Sequence, residues 1–300
     1  MTLDSQDFPI VDHLDAEIIM HRDVHFGGQF SVMLHYYEQE GKGTRPEFNP
    51  RRIHDLYKIE QTYKMNLKEH LLSEDQRVRV VQAQQAYQKL KQMFEVSQNP
   101  NSPALKLADL LLSEEENPVN EINQVVAFKN ELLNDLLQIF ATDAFYDSLF
   151  PGYGYAPELV ARCLGLIGSE LAIEPLFSRI AQVDFYIEDV ILEALKNIGE
   201  PAKQFLMKII QQAPISESNE RAAVALIHFR QDLEVARLSL KLMKEPSVRA
   251  NHTLMGYLIV ISEGLKGTEE AKFFQALKDD TSLPKLLRDD IEEVTRHWPN

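Results

Sequence analysis

The chain has 300 residues, 44% of them hydrophobic and 26% charged, which suits one long repeat array or two domains and excludes a disordered chain. Its formal net charge of −15 opposes phosphate backbones and anionic headgroups. Arg51-Arg52 and the scattered lysines of residues 85–92 form no dense basic patch, so neither nucleic acid nor a membrane surface is an expected partner. Cys163, the single cysteine, has no partner for an internal disulfide and reads as a small buried apolar residue. No run approaches the roughly 18 apolar residues of a membrane span, and the first 17 residues lack the basic and apolar regions of a secretion signal. A cytoplasmic protein is therefore expected.

The first predicted helix carries Val11, Leu14, Ile18, His21, His25, Gly28 and Val32 at three- and four-residue spacing, which places both histidines on an inward face. Gly27-Gly28 would mark a close helix contact. His13, Glu17, His21 and His25 fall four apart, so neighbours in the set share a face. Two chemistries fit. Either the histidines are hydrogen-bonded core residues, or Glu17, His21 and His25 supply three ligands to zinc or iron, with Asp12 or His35 nearby and His54 and His70 as looser candidates. The core reading is preferred, because ligands from a single helix rarely close a metal shell.

Gly41-Lys42-Gly43-Thr44-Arg45-Pro46 reads as a flexible connection and lacks the frame of a phosphate loop. Ile53, Leu56, Tyr63 and Leu67 then continue the helical spacing. Ser73 with Gln76 three residues on is a capping box, and it opens a helix through Val80, Ala83, Tyr87, Leu90 and Phe94 to about residue 97. Asn99 to Pro103 is a break in which Ser102 caps the next helix and Pro103 takes its first position. Glu114 to Pro118 is a second, solvated break. Ile122, Val125, Lys129, Leu132, Leu136 and Ile139 form the next periodic run. Pro151-Gly152-Tyr153-Gly154-Tyr155-Ala156-Pro157 is the strongest boundary, a turn pinned by its aromatics. It divides a helical region, 1–150, from a repeat region, 151–300.

The repeat region carries a 31-residue period. Leu164, Leu195 and Leu226 are evenly spaced, as are Ile167, Ile198 and Phe229, and Cys163, Ala194 and Ala225 precede each leucine. First helices end at Gly168 and Gly199, where glycine permits the left-handed cap, and acidic helix starts follow at Ser169-Glu170 and Glu200-Pro201. Second helices carry Leu176 and Ile180, Leu206 and Ile210, and Leu238 and Leu242. The third repeat has Arg230 in place of the glycine. A diverged pair follows over 247–264 and 268–279, and then a capping helix over 283–297; Trp298 beyond it reads as a plug for the last pair or as an exposed anchor for a partner.

The run from Ala161 to Leu176, with its echo from Leu195 to Ala202, resembles the HEAT-like repeat, closest to the short variant of phycobilin-lyase-type repeat proteins. The resemblance covers about residues 157–280 and leaves 1–150 unassigned. It implies an all-α chain in which an N-terminal helical region precedes an α–α superhelix of stacked hairpins. Relatives of this repeat include scaffolds, adaptors and a few lyases, so the resemblance speaks to fold more than to activity.

The expected function is a non-catalytic protein-interaction scaffold without a cofactor. Its partner surface would be the second helices, at Arg179, Gln182, Lys208, Gln212, Lys241 and Lys244. These residues make that surface more basic than the chain average and would favour an acidic segment of another protein. The competing expectation is a metal-binding protein or metal-dependent enzyme built on Glu17, His21 and His25.

Overall fold

The computed structural model of the chain describes residues 13–39, 45–96, 99, 101–113, 115 and 117–298. Asp12, the 41–44 connection, Glu114 and Glu116 lie outside the described residues. Among the described residues all regular structure is helical, with no strand. No helix there is long and apolar enough to cross a membrane. The chain forms two compact units: residues 1–132 with Thr142–Pro157, and Leu133–Ala141 with Glu158–Asn300.

The first unit contains α1 (His13–His25), α2 (Phe30–Gln39), α3 (Pro50–Tyr63), α4 (Leu67–Leu71), α5 (Glu74–Val96), α6 (Pro103–Leu111) and α7 (Val119–Ala127), and the short α8 (Lys129–Ala141) begins in it. α1 is its core: every residue from Asp15 to Asp23 is buried, and the helix packs on α3, α4 and α5. The expected stripe does not run on through Val32. Gly27 and Gly28 adopt positive φ of 60° and 74°, and the Gly28 N–H returns to the Arg22 carbonyl at 3.0 Å. This left-handed closure ends α1, so Val32 lies on another helix and is exposed.

The caps predicted at Ser73 and Ser102 form as expected, and the structure adds one at Asn49, which accepts from the Arg51 N–H at 2.9 Å ahead of Pro50 at the start of α3. Ser73 and Gln76 exchange their reciprocal bonds, with Ser73 N–H donating to Gln76 Oε1 at 2.9 Å and Gln76 N–H donating to Ser73 Oγ at 3.3 Å. Ser102 caps α6 behind Pro103. The run through Ile122 and Ile139 is not one helix: the ladder breaks at Phe128, where the chain passes from α7 to α8.

The second unit continues with α9 (Ala156–Ile167), α10 (Ile173–Arg179), α11 (Phe185–Ile198), α12 (Glu200–Ile210), α13 (Glu217–Leu226), α14 (Leu233–Leu242), α15 (Pro246–Arg249), α16 (His252–Ile261), α17 (Ala271–Ala276) and α18 (Lys285–Thr295). Among its helix contacts, α11 packs on α10, α12 and α13, α13 on α12 and α16, and α16 on α14 and α18. The periodic residues Cys163, Leu164, Ala194, Leu195, Ala225 and Leu226 are all buried. Gly168 and Gly199 take φ of 71° and 82°. Gly165 serves a different purpose, because a Cβ there would stand 2.7 Å from the Ala194 Cα, so α9 and α11 cross in backbone contact. Trp298 is buried and its ring lies 5.7 Å from that of Phe274.

Candidate functional site

Both groups of residues singled out in the sequence can be placed. In the first unit, His21 is fully buried and its Nε2 lies 3.2 Å from Ser148 Oγ. The His21 and His25 ring centroids are 5.1 Å apart, and His25 also packs against Tyr87 and Tyr153 at 5.2 and 5.5 Å. Tyr153 thereby ties the 151–157 turn to α1. Burial holds both imidazoles neutral. The His21 pKa falls to about 2, with His25, Arg45 and Arg79 adding repulsion. His25 falls to about 4, the backbone bond to Ser148 and the Asp147 carboxylate opposing the effect of burial.

Glu17 does not complete a ligand set with them. Its carboxylate lies 3.7 Å from the Arg79 guanidinium, which also donates to Asp147 at 2.5 Å. His13, His35, His54 and His70 are exposed. Among the described residues no group of three or more His, Cys, Asp or Glu is arranged to hold a metal ion.

The other charges of α1 are joined in the same way to distant segments. Arg22 donates to Asp23 at 2.7 Å, to Glu60 at 2.7 Å and to Asn66 at 3.1 Å, and lies over the Phe30 ring at 4.5 Å. Asp15 accepts from Arg52 at 2.6 Å, and Lys68 lies 3.3 Å from Asp23. A helix buried on all sides can keep such charges only if each is paired.

In the second unit, Gln182, Lys208, Gln212, Lys241 and Lys244 are exposed. No ion pair joins Lys208, Lys241 or Lys244 to a carboxylate among the described residues. Arg179 differs from this group: it is half-buried, and its Nη2 donates to the Ala141 carbonyl at 2.9 Å, which holds it against the end of α8. Gln212 contributes its carbonyl to a bond from Asn219 Nδ2 at 2.9 Å. His228 lies at a helix end, 3.7 Å from Glu193, and burial lowers its pKa. Cys163 is buried and its thiol is pushed up to about 12, so it is not a nucleophile near neutral pH.

Sequence reasoning missed a set of polar joints between helices of the second unit. Lys203, itself buried, donates to Asp232 at 2.7 Å and lies 2.8 Å from Glu200 and 3.2 Å from Glu234. Asn251 donates to Glu220 at 2.6 Å, Arg230 to Glu263 at 2.7 Å and Arg237 to Glu270 at 2.8 Å, and Arg249 pairs with Asp280. The partners of these joints stand 29 to 33 residues apart. The signal was available, because opposite charges recur at the period of the leucines. Also missed were Phe185 and Tyr186, both large, aromatic and exposed. They fall outside the buried stripe Ile187, Ile191, Ala194, Leu195 and Ile198 of their own helix, which is the pattern that could have revealed them. No protein-family model, no curated protein and no solved structure matches the chain.

Proposed function

We propose that this protein is a non-catalytic interaction scaffold whose C-terminal unit is a HEAT-like solenoid, with a lysine-bearing face that receives an acidic segment of another protein. The observation that carries the reading is the recurrence of inter-hairpin joints at 29 to 33 residues, over the same stretch as the 31-residue apolar period. A unit held together by nearest-neighbour joints repeats its outer surface at the same interval, and that is how repeat arrays bind extended partners. Lys208, Lys241 and Lys244 lie on or just beyond the second helices α12 and α14, exposed and clear of the joints.

The test compares proteins retained by wild-type chain with those retained by a Lys208→Glu/Lys241→Glu/Lys244→Glu variant. The scaffold reading expects a partner that wild type retains and the variant loses, whose binding is competed by a synthetic acidic peptide from that partner. Equal retention by both proteins would refute the lysine face. Turnover of a small molecule by the purified chain would refute the non-catalytic reading.

A further inference from the structure

The first helices carry a surface of the opposite chemistry. Phe185 and Tyr186, at the start of α11, are 79% and 78% exposed, the two most exposed large hydrophobic side chains described. Their rings meet edge to face with centroids 6.1 Å apart, and no other ring packs on them among the described residues. The turn that presents them is fixed by its own hydrogen bonds. Ala181 sits at φ 63° with its N–H donating to Glu188 Oε2 at 2.6 Å. The Asp184 carboxylate accepts from the N–H groups of Tyr186 at 3.0 Å and Ile187 at 3.1 Å. The two rings are therefore displayed by a set backbone, and a partner does not have to order it.

Asp189 and Glu193 follow along α11 and are exposed. Positions 185, 189 and 193 share one helix face, so two aromatic rings and two carboxylates make a ridge about 12 Å long. Glu217 on the neighbouring helix α13 adds a carboxylate that is 85% exposed. The basic groups nearby are Lys196, 3.4 Å from Glu193, His228, 3.7 Å from the same carboxylate, and Arg221, 3.2 Å from Glu217.

We infer that this aromatic–acidic ridge of α11 docks a basic segment of a partner protein, an extended stretch with arginine or lysine at alternate positions. The choice of occupant follows from charge complementarity. Exposed ring faces attract guanidinium and ammonium groups, and carboxylates one and two turns along pair with the next cation of the segment. An extended chain repeats its side-chain direction about every 7 Å, so a ridge of about 12 Å spans two or three basic side chains. The net charge of −15 steers such a segment toward the chain.

The inference stands apart from the lysine face, and its test keeps the two separable. A fluorescein-labelled peptide of alternating arginine and glycine is titrated into the full-length protein and anisotropy is read, with an acidic peptide of the same length as control. The basic peptide should bind, and Phe185→Ala/Tyr186→Ala should weaken it roughly tenfold, equivalent to about 1.4 kcal/mol. Asp189→Asn/Glu193→Gln should weaken it further and flatten its salt dependence. Lys208→Glu/Lys241→Glu should leave the basic peptide's affinity no weaker than wild type. Binding of the basic peptide untouched by the ridge variants, or binding of the acidic peptide that those variants weaken as much as they weaken the basic one, would overturn the inference. So would a wild-type dimer that becomes monomeric on removing the two rings, since that would assign the ridge to a second copy of the chain.

Discussion

Three glycines of the C-terminal unit should respond to alanine with different signs, and the set tests helix packing at single-atom resolution. At Gly165 an added Cβ would lie 2.7 Å from the Ala194 Cα, 2.8 Å from its Cβ and 3.3 Å from its carbonyl oxygen. Carbon atoms pack at about 3.5–4.0 Å, and backbone cannot rotate aside, so α9 and α11 must separate. Overpacking of this kind costs about 1–3 kcal/mol, here at the upper end, against a gain of about 1 kcal/mol in helix propensity. The net loss should be about 2 kcal/mol. Gly256, inside α16, has open space around its missing Cβ and ordinary helical φ, so Gly256→Ala should stabilise by up to about 1 kcal/mol. Gly168 also has open space but sits at φ 71°, so Gly168→Ala should cost about 1–2 kcal/mol from backbone strain alone. Trp298, the only tryptophan of the chain, is buried in this same unit, and its fluorescence during urea unfolding reads all three variants. Adding Ala194→Gly to Gly165→Ala should recover only part of the loss, because the 2.7 Å contact is to Cα. A Gly165→Ala protein as stable as Gly256→Ala would refute the close crossing and, with it, the register of the first two repeats.

Leu195 is fully buried, so Leu195→Ala should destabilise the same unit by about 2–5 kcal/mol in that urea assay, and a loss under about 0.5 kcal/mol would place it at the surface. Cys163 should resist a maleimide reagent in native protein at pH 8 and react once urea unfolds the chain; rapid native labelling would contradict its burial and its raised thiol pKa. His21 and His25 titrate below the usual histidine value when folded, so below about pH 6.5 the unfolded chain binds more protons and stability is lost as pH falls. From pH 7 to pH 5 the N-terminal unit should lose roughly 4 kcal/mol, about 2 from each imidazole. Hydrogen exchange of α1 measures the loss, and equal protection at both pH values would show that the histidines are not buried neutral.

The second unit was legible because its physics repeats. A buried leucine and the small residue before it recur three times at one interval, and a left-handed glycine twice, so the same local signal is read more than once. The caps of the first unit were legible for a related reason: Ser73 with Gln76 and Ser102 with Pro103 act within a single turn of helix. α1 was not. Its apolar spacing predicts a single inward face, yet the helix is buried all round, and Asp15, Arg22 and Asp23 are satisfied by Arg52, Glu60, Asn66 and Lys68, some 37 to 45 residues away. Nothing in local spacing announces such partners. The stop after His25 was also misread, because a glycine pair can serve either a close helix contact or a left-handed cap, and the choice depends on where the following chain must go.

The two readings of the conspicuous residues separate on whether a charge has a partner. In the first unit the histidines, carboxylates and arginines that suggest chemistry are buried against one another. Neutral imidazoles with pKa values of about 2 and 4 are poor general bases near neutral pH, because a base serves best when its pKa lies near the working pH. Burial of the histidines and pairing of the charges make this cluster the polar centre of a folded core. In the second unit the order is reversed. The joints consume Lys203, Arg230, Arg237 and Arg249, and what stays outside them is chemically simple: lysines on one set of helices, and two rings with carboxylates on another. Groups left exposed after such structural demands have been met are the ones a partner can reach, and it is on them that the proposed scaffold function and the proposed ridge both rest.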